Sequence, residues 1–435
     1  MPARATTLPP GGVEPLDKAS YRELLDDARK RTLWLVDSIC DLDLERVHDT
    51  LMSPLVWDLG HIAAFEDLWL CHRAGGLEPL RPDLMEVYDA AETPRADRGD
   101  LPYLRPGEAH EYMAAVRERA LEVLDSADLS GGAVEWELVV RHEHQHTETM
   151  LQTLRLADAG VCSPEREPLP SGTAPAAGDT VRIEAGPFPL GAGPDGFAYD
   201  NERPRHEVDV GAFEIDRTPV TNGAYLRFVE DGGYERRELW SEQGWSWRES
   251  ERVERPLYWT GDGRVRAFER VEPLDADLPV MHVSWYEADA FARWRGMRLP
   301  TESEWEKAAT WDADAGEKRD YPWGDDAARP GRANLDQTAF GPAPVGAYPA
   351  GASPTGVLGL VGDAWEWTAS DFGGYPGFRA FPYREYSEIF FGDGYKVLRG
   401  GSWATRPRVA TPTFRNWDYP QRRQIHCGFR CAADA

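Results

Sequence analysis

The first 160 positions read as helices, with apolar residues recurring at helical spacing along charged stretches. Residues 18–40 form one amphipathic run. Ser53-Pro54 reads as a helix start, the serine as N-cap and the proline at the first helical position, opening a second helix to about Arg73. A third is predicted over 107–127, and Gly131-Gly132 precede a fourth that runs to about Asp158. With one long connection, 75–106, the pattern predicts a four-helix bundle over residues 1–163. The periodicity then stops. Residues 164–179, PEREPLPSGTAPAAGD, read as a linker. Over 180–435 the strands are short, turns are many, and only 220–230 and 284–310 carry a helical repeat. An α+β domain dominated by irregular connections is predicted there.

A length of 435 residues agrees with two domains, and 41% hydrophobic residues with 17 Trp supply material for two cores. Acidic residues outnumber basic ones, 75 to 48, for a net charge of −27. That field repels phosphate backbones and anionic membranes, so nucleic acid and membrane partners are disfavoured. Residues 1–20 hold no apolar run, and no stretch approaches bilayer length, so a soluble, unexported chain is expected. Cys40, Cys71, Cys162, Cys427 and Cys431 are scattered and odd in number, which suits a reducing cytoplasm.

The fourth helix carries RHEHQHTETML, residues 141–151. His142 and His146 are four apart, so on a helix they project from one face about 5–6 Å apart and can share a metal. Leu138, Val139 and Met150 lie on that side and turn it toward the interior. His144 is rotated by about 200°, onto a face shared with Glu137, Arg141 and Glu148; that face is expected to be solvated, which sets His144 aside. The second helix carries WDLGHIAAFEDLWL, residues 57–70, with His61 beside Trp57, Phe65 and Leu68. A single core histidine is ordinarily a hydrogen-bonded packing residue. A second inward pair in the same bundle changes that, because bundle cores build metal sites from facing helices. Three neutral imidazoles suit iron, zinc or copper, and leave redox and Lewis-acid chemistry both open. HEHQH also matches HExxH, the helix of zinc hydrolases, with Glu143 as general base. Against that reading, the Pro-rich stretch follows soon and leaves no obvious downstream helix for a third ligand.

The segments RIEAGPFPLGA (182–192), NERPRHEVDVGAFEIDRTPVTNGAYLRFV (201–229), PVMHVSWYEADAFARWRGMRLPTESEWEKAA (279–309), YPWGDD (321–326), VGDAWEWTAS (361–370), VLRGGSWA (397–404) and GFRCA (428–432) resemble the sulfatase-modifying, formylglycine-generating fold, a C-type-lectin-like architecture. That family's oxidation uses a cysteine pair soon after RGGSW, and no cysteine lies between Ser402 and Asp418, so the activity is disfavoured. Joined to a DinB-like bundle with WDLGHIAAFE and HEHQHTET, the whole resembles the iron-dependent sulfoxide synthases of ergothioneine biosynthesis, the hercynine oxygenases. The resemblance implies an enzyme that holds Fe(II) through His61, His142 and His146. It implies coupling of γ-glutamylcysteine to C2 of hercynine (trimethylhistidine) with O2, giving a sulfoxide. Free cysteine, a seleno donor, the zinc hydrolase and a lectin-like binding module stand as alternatives.

Further positions follow from the same resemblance. ETPRADRG supplies Arg95 and Arg98 as contacts to γ-glutamylcysteine carboxylates. FRNWDYPQRRQ supplies Asn416, Trp417, Asp418 and Arg422 for the thiol donor; Asp418 suits its ammonium and Arg422 its carboxylate. Gln145 and Tyr386 match contacts to trimethylhistidine, where aromatic faces attract a quaternary ammonium. In FPYREYSE, Tyr383 matches the tyrosine that supports oxygen activation by supplying a proton, or an electron with it.

Overall fold

The computed structural model describes residues 16–130, 133–173, 178–329 and 331–435. They divide into two compact units: the residues up to Pro164 with Phe268–Arg270, and Glu165–Ala267 with Val271–Ala435. Among the described residues no helix is long and apolar enough to cross a membrane. All five cysteines are free thiols.

The helical unit contains α1 (Lys18–Val36), the single turn α2 (Asp41–Glu45), α3 (Leu55–Glu66), α4 (Pro106–Ser126) and α5 (Val134–Leu156). Asp17 caps α1 by accepting from the Ser20 N–H at 2.8 Å. The start of α3 departs from expectation. Pro54 is itself the N-cap, and the Ser53 hydroxyl instead accepts from Arg98 Nη1 at 2.9 Å. Past Glu66 the helix widens without a break into a π-helix, Asp67–Ala74. Within 75–106 lie two 3₁₀ turns, Pro82–Leu84 and Arg95–Asp100. Gly131 and Gly132, expected before α5, lie outside the described residues, as do 174–177 of the expected linker.

Each of four helices contributes one charge to a buried cluster. Arg29 of α1 donates to Glu66 of α3 at 2.6 Å and to Glu143 of α5 at 2.9 Å. Arg117 of α4 donates to Glu66 at 2.5 Å and to Glu143 at 3.3 Å, and the Thr32 hydroxyl adds a bond to Glu143 at 2.8 Å. Burial alone would raise the Glu66 carboxyl; Arg117 and Arg29 outweigh it and hold the pKa below the usual range. Two positive and two negative groups satisfy one another, the condition under which buried ions are tolerated.

The C-terminal unit is built on mixed sheets. β1 (Thr180–Ile183), β4 (Phe213–Asp216) and β13 (Ala432–Asp434) form one sheet in the order β1-β4-β13. β9 (Trp365–Phe372), β10 (Gly392–Arg399), β11 (Asn416–Asp418) and β12 (Cys427–Gly428) form the second, in the order β11-β10-β9-β12, with β12 parallel to β9. Three two-stranded ribbons complete it: β2 (Gly186–Leu190) with β3 (His206–Val210), β5 (Arg264–Ala267) with β6 (Arg270–Pro273), and β7 (Trp311–Asp312) with β8 (Glu317–Lys318). The helices are α6 (Asn222–Glu230), α7 (Glu242–Ser250), α8 (Trp285–Trp294) and α9 (Glu302–Thr310). The helical repeat over 284–310 is thus two helices. Gly296, at φ 71°, closes α8, and Pro300 precedes the Thr301 cap of α9. The pattern gave no sign of α7, because EQGWSWRES has no apolar stripe at helical spacing.

Charged residues from the recognised segments pair in the interior of this unit. Arg399 bonds Glu302 at 3.2 Å and also Glu306; Arg415 bonds Glu302 at 2.8 Å; Arg430 bonds Glu366 at 2.6 Å. The stretch expected as a linker is fastened to this unit where it is described. Arg166 pairs with Glu272 at 3.0 Å, and the Glu167 N–H donates to the Thr338 carbonyl at 3.1 Å.

Candidate metal centre

His61 on α3 and His142 and His146 on α5 form the one cluster of metal-ligating side chains among the described residues; their donor atoms all lie within 4.8 Å. Each ring is held differently. The His61 Nδ1–H donates to the Tyr88 carbonyl at 2.7 Å, because a carbonyl can only accept. That leaves Nε2 as a bare lone pair, 3.1 Å from His142 Nε2. His146 Nδ1 lies 3.2 Å from Asp58 Oδ1, which turns its own Nε2 free. His142 is fixed by stacking on Phe65, with ring centroids 3.6 Å apart and planes 8° apart. Burial first, and the neighbouring His146 second, push the pKa of both His61 and His142 well below the usual value. Both are neutral at neutral pH, as ligation requires. Lone pairs converging this closely fit a cation between them.

The walls are aromatic. Trp57 stacks on His61 with centroids 4.9 Å apart, and the Arg98 guanidinium lies 3.8 Å over Trp57. Gly60 admits the Tyr88 ring; a Cβ there would sit 2.1 Å from Tyr88 Cζ. That close approach is what brings the Tyr88 carbonyl to His61.

The face carrying His144 is not solvated. His144, Glu137 and Glu148 are 3%, 4% and 7% exposed. Arg141 neutralises Glu137 at 2.6 Å, and farther along α5 the Arg155 guanidinium lies over Phe268, from the distant segment that belongs to this unit. Charge in the sequence was matched here by ion pairing and cover rather than by water. His144 nonetheless stays outside the cluster. Glu143 is committed to Arg29, Arg117 and Thr32, so an HExxH hydrolase would lack its base.

Arg98 is buried, and each of its three nitrogens already donates: to the Thr93 carbonyl, Ser53 and the Ala90 carbonyl. Burial first, then Arg95, lowers its pKa to about 10. Arg95 is exposed, with Nη1 3.5 Å from Met52 Sδ. Gln145 is half-buried on α5 between the two histidines.

The remaining expected residues belong to the C-terminal unit. Trp417 on β11 stacks on Phe372 at 4.2 Å and meets the Tyr386 ring edge-on at 5.8 Å; Tyr383 meets Tyr386 edge-on at 6.1 Å. Asn416 and Asp418 flank Trp417 on the same strand, and Arg422 Nε lies 3.7 Å from Asp418 Oδ1. Sequence reasoning missed Asp58, Tyr88 and Tyr199, which stacks on Tyr386 at 4.4 Å. Asp58, three positions before His61, carried a signal; a backbone carbonyl such as that of Tyr88 carries none.

Two family models match the chain. Residues 24–150 match the DinB superfamily, and 166–435 match the sulfatase-modifying factor enzyme 1-like domain. The chain is 48% identical over 434 residues to hercynine oxygenase of Mycolicibacterium thermoresistibile, covering 97% of this chain and 96% of that protein. It is 48% identical over 412 residues to hercynine oxygenase of Mycobacterium tuberculosis, covering 94% and 97%. The formylglycine-generating enzyme of Streptomyces coelicolor is 33% identical over 314 residues, 62% of this chain and 93% of that protein.

Proposed function

The chain belongs to the hercynine oxygenase family, and from that premise we propose that it joins γ-glutamylcysteine to C2 of hercynine with O2, forming a sulfoxide, with iron(II) held by His61, His142 and His146. The observation that carries the iron reading is the convergence of three imidazole donors within 4.8 Å of one another. Bound there, iron(II) would supply the redox chemistry for dioxygen reduction and sulfur oxidation. A set of three imidazole ligands lacks the carboxylate of other non-haem iron sites, and a thiolate donor would supply the missing negative charge.

The chain's own groups do the rest. Asp58 and the Tyr88 carbonyl fix two imidazoles in the tautomer that aims Nε2 inward. Asp418 and Arg422 offer the opposite charges that a free amino-acid end requires, and their mutual distance of 3.7 Å leaves each able to turn to a ligand. Exposed Arg95 suits a carboxylate of the donor; Arg98 would reach one only by releasing a present bond. Asn416 and Trp417 complete the donor contacts, while Gln145 and Tyr386 receive trimethylhistidine, Tyr386 through its ring face. Tyr383 holds the phenolic proton delivered during oxygen activation. We place the reaction in the cytoplasm, which the five free thiols suit. The four long helices read as a four-helix bundle, and the C-terminal unit as a C-type-lectin-like variant.

Anaerobic reconstitution followed by oxygen-uptake measurements tests this. Uptake should require Fe(II), hercynine and γ-glutamylcysteine together, with sulfoxide as product. Equal turnover with Zn(II) would remove the iron assignment. Comparable turnover with free cysteine or a seleno donor would replace the thiol assignment.

A further inference from the structure

The segment carrying Tyr383 and Tyr386 has little internal structure, only the 3₁₀ turns Arg384–Tyr386 and Glu388–Phe390. Its support is a three-residue turn far upstream, Asp200–Glu202. The Asp200 carboxylate accepts at both ends of the segment: Oδ2 from the Phe381 N–H at 3.2 Å, and Oδ1 from the Ser387 hydroxyl at 2.5 Å. Ser387 Oγ accepts in turn from Asn201 Nδ2 at 2.9 Å. Asp200 is 3% exposed and Ser387 fully buried. Seven residues are therefore closed into a loop on one buried carboxylate. Freeing either end takes one hydrogen bond from the buried Asp200 carboxylate, which is costly.

The same turn reaches the other recognition segment. Glu202 Oε2 accepts from the Thr413 hydroxyl at 2.6 Å, and the Asn201 carbonyl accepts from Arg415 Nη1 at 2.7 Å, next to Asn416. The loop with the tyrosines and the strand with Trp417 and Asp418 thus share one reference point.

We propose that Asp200 is a positioning residue for the reaction: by bonding Phe381 and Ser387 together, it sets the place of the Tyr383 phenol. This rests on the role given to Tyr383 above. The effect passes through Tyr383 and is not a general contribution to folding, so the two substitutions must be coupled.

The experiment is a double-mutant cycle in the full chain, with Fe(II) content and thermal midpoint measured for each variant. Asp200→Asn puts an N–H donor where one of two donors must be met. It should lower kcat for sulfoxide formation on the order of tenfold to a hundredfold, with KM for the thiol little changed and Fe(II) content intact. Added to Tyr383→Phe, it should cause almost no further loss. Ser387→Ala should repeat the effect and Ser387→Thr, which restores the hydroxyl, should largely reverse it; this pair decides the matter if Asp200→Asn does not fold. Independent, multiplying losses would overturn the proposal, as would full activity in Asp200→Asn or in Ser387→Ala. If Tyr383→Phe alone leaves sulfoxide yield and rate unchanged, the role of Tyr383 falls first and the proposal with it.

Discussion

The two units place their chemistry on different kinds of support. In the helical unit all three imidazoles stand on α3 and α5, and a helix fixes the relation between positions four apart. In the C-terminal unit the expected recognition residues stand on a short strand and an irregular loop, tied down by side-chain bonds to Asp200, Asn201 and Glu202. Helical spacing pairs two ligands of the first kind of site, and the apolar face around His61 points to the third. The second kind of site is located by partners nearly two hundred residues away, so its geometry is invisible to any local pattern.

Substitutions can break this comparison or sharpen it. The largest effect is expected from His61→Ala. Losing a ligand should abolish Fe(II) retention and lower turnover on the order of a thousandfold or more, read by metal analysis and oxygen uptake; unchanged iron content would remove His61 from the ligand set. In the other unit, Asp418→Ala should raise KM for the thiol about tenfold to a hundredfold, the worth of one charge-assisted bond, with Fe(II) binding untouched. A shift in iron affinity instead would mean that the two sets of residues are not separable. Asp58→Asn should weaken Fe(II) binding about tenfold or more in an anaerobic titration, because it alters the partner that orients His146. Its effect on KM should be the smaller one. His144→Ala should keep most activity yet destabilise the unit by about 1–3 kcal/mol, since the side chain is buried; denaturant unfolding reads this, and an unchanged midpoint would restore a solvated face.

The smallest effect is one of pH. His61 and His142 have native pKa values below their unfolded ones, so between those values the unfolded chain binds more protons. Stability of the metal-free protein should therefore fall as pH drops below about 6.5. Saturating Fe(II) should move the fall to lower pH. A flat profile through that range would mean that these rings titrate alike in both states.

How much was legible follows the same line. The helical spacing of His142 and His146, and the apolar face around His61, were enough to place the donors together. The same reasoning misjudged His144, because it assumed that a face with Glu137, Arg141 and Glu148 meets water. Glu137 is answered by Arg141 within α5, and the distant segment Phe268–Arg270 belongs to this unit, which periodicity cannot register. Ser53 was misread for a related reason: a capping residue is recognised locally, but its hydroxyl had a stronger use for Arg98. In the second unit, resemblance supplied Asp418 and Tyr383, and no physical pattern in the sequence announced Asp200 as their support.

The cluster of Arg29, Glu66, Arg117 and Glu143 has an evolutionary consequence. Any one of these residues, replaced alone by a neutral one, strands a charge in the interior at a cost of about 3–5 kcal/mol. A lineage can then lose the cluster only through a coordinated exchange, such as four apolar residues of matching volume, and the intermediates are unstable. The four positions should therefore change together or not at all. The glutamate that makes this chain look like a hydrolase is thus withheld from hydrolytic chemistry by its neighbours, and recruiting it would mean rebuilding the middle of the bundle.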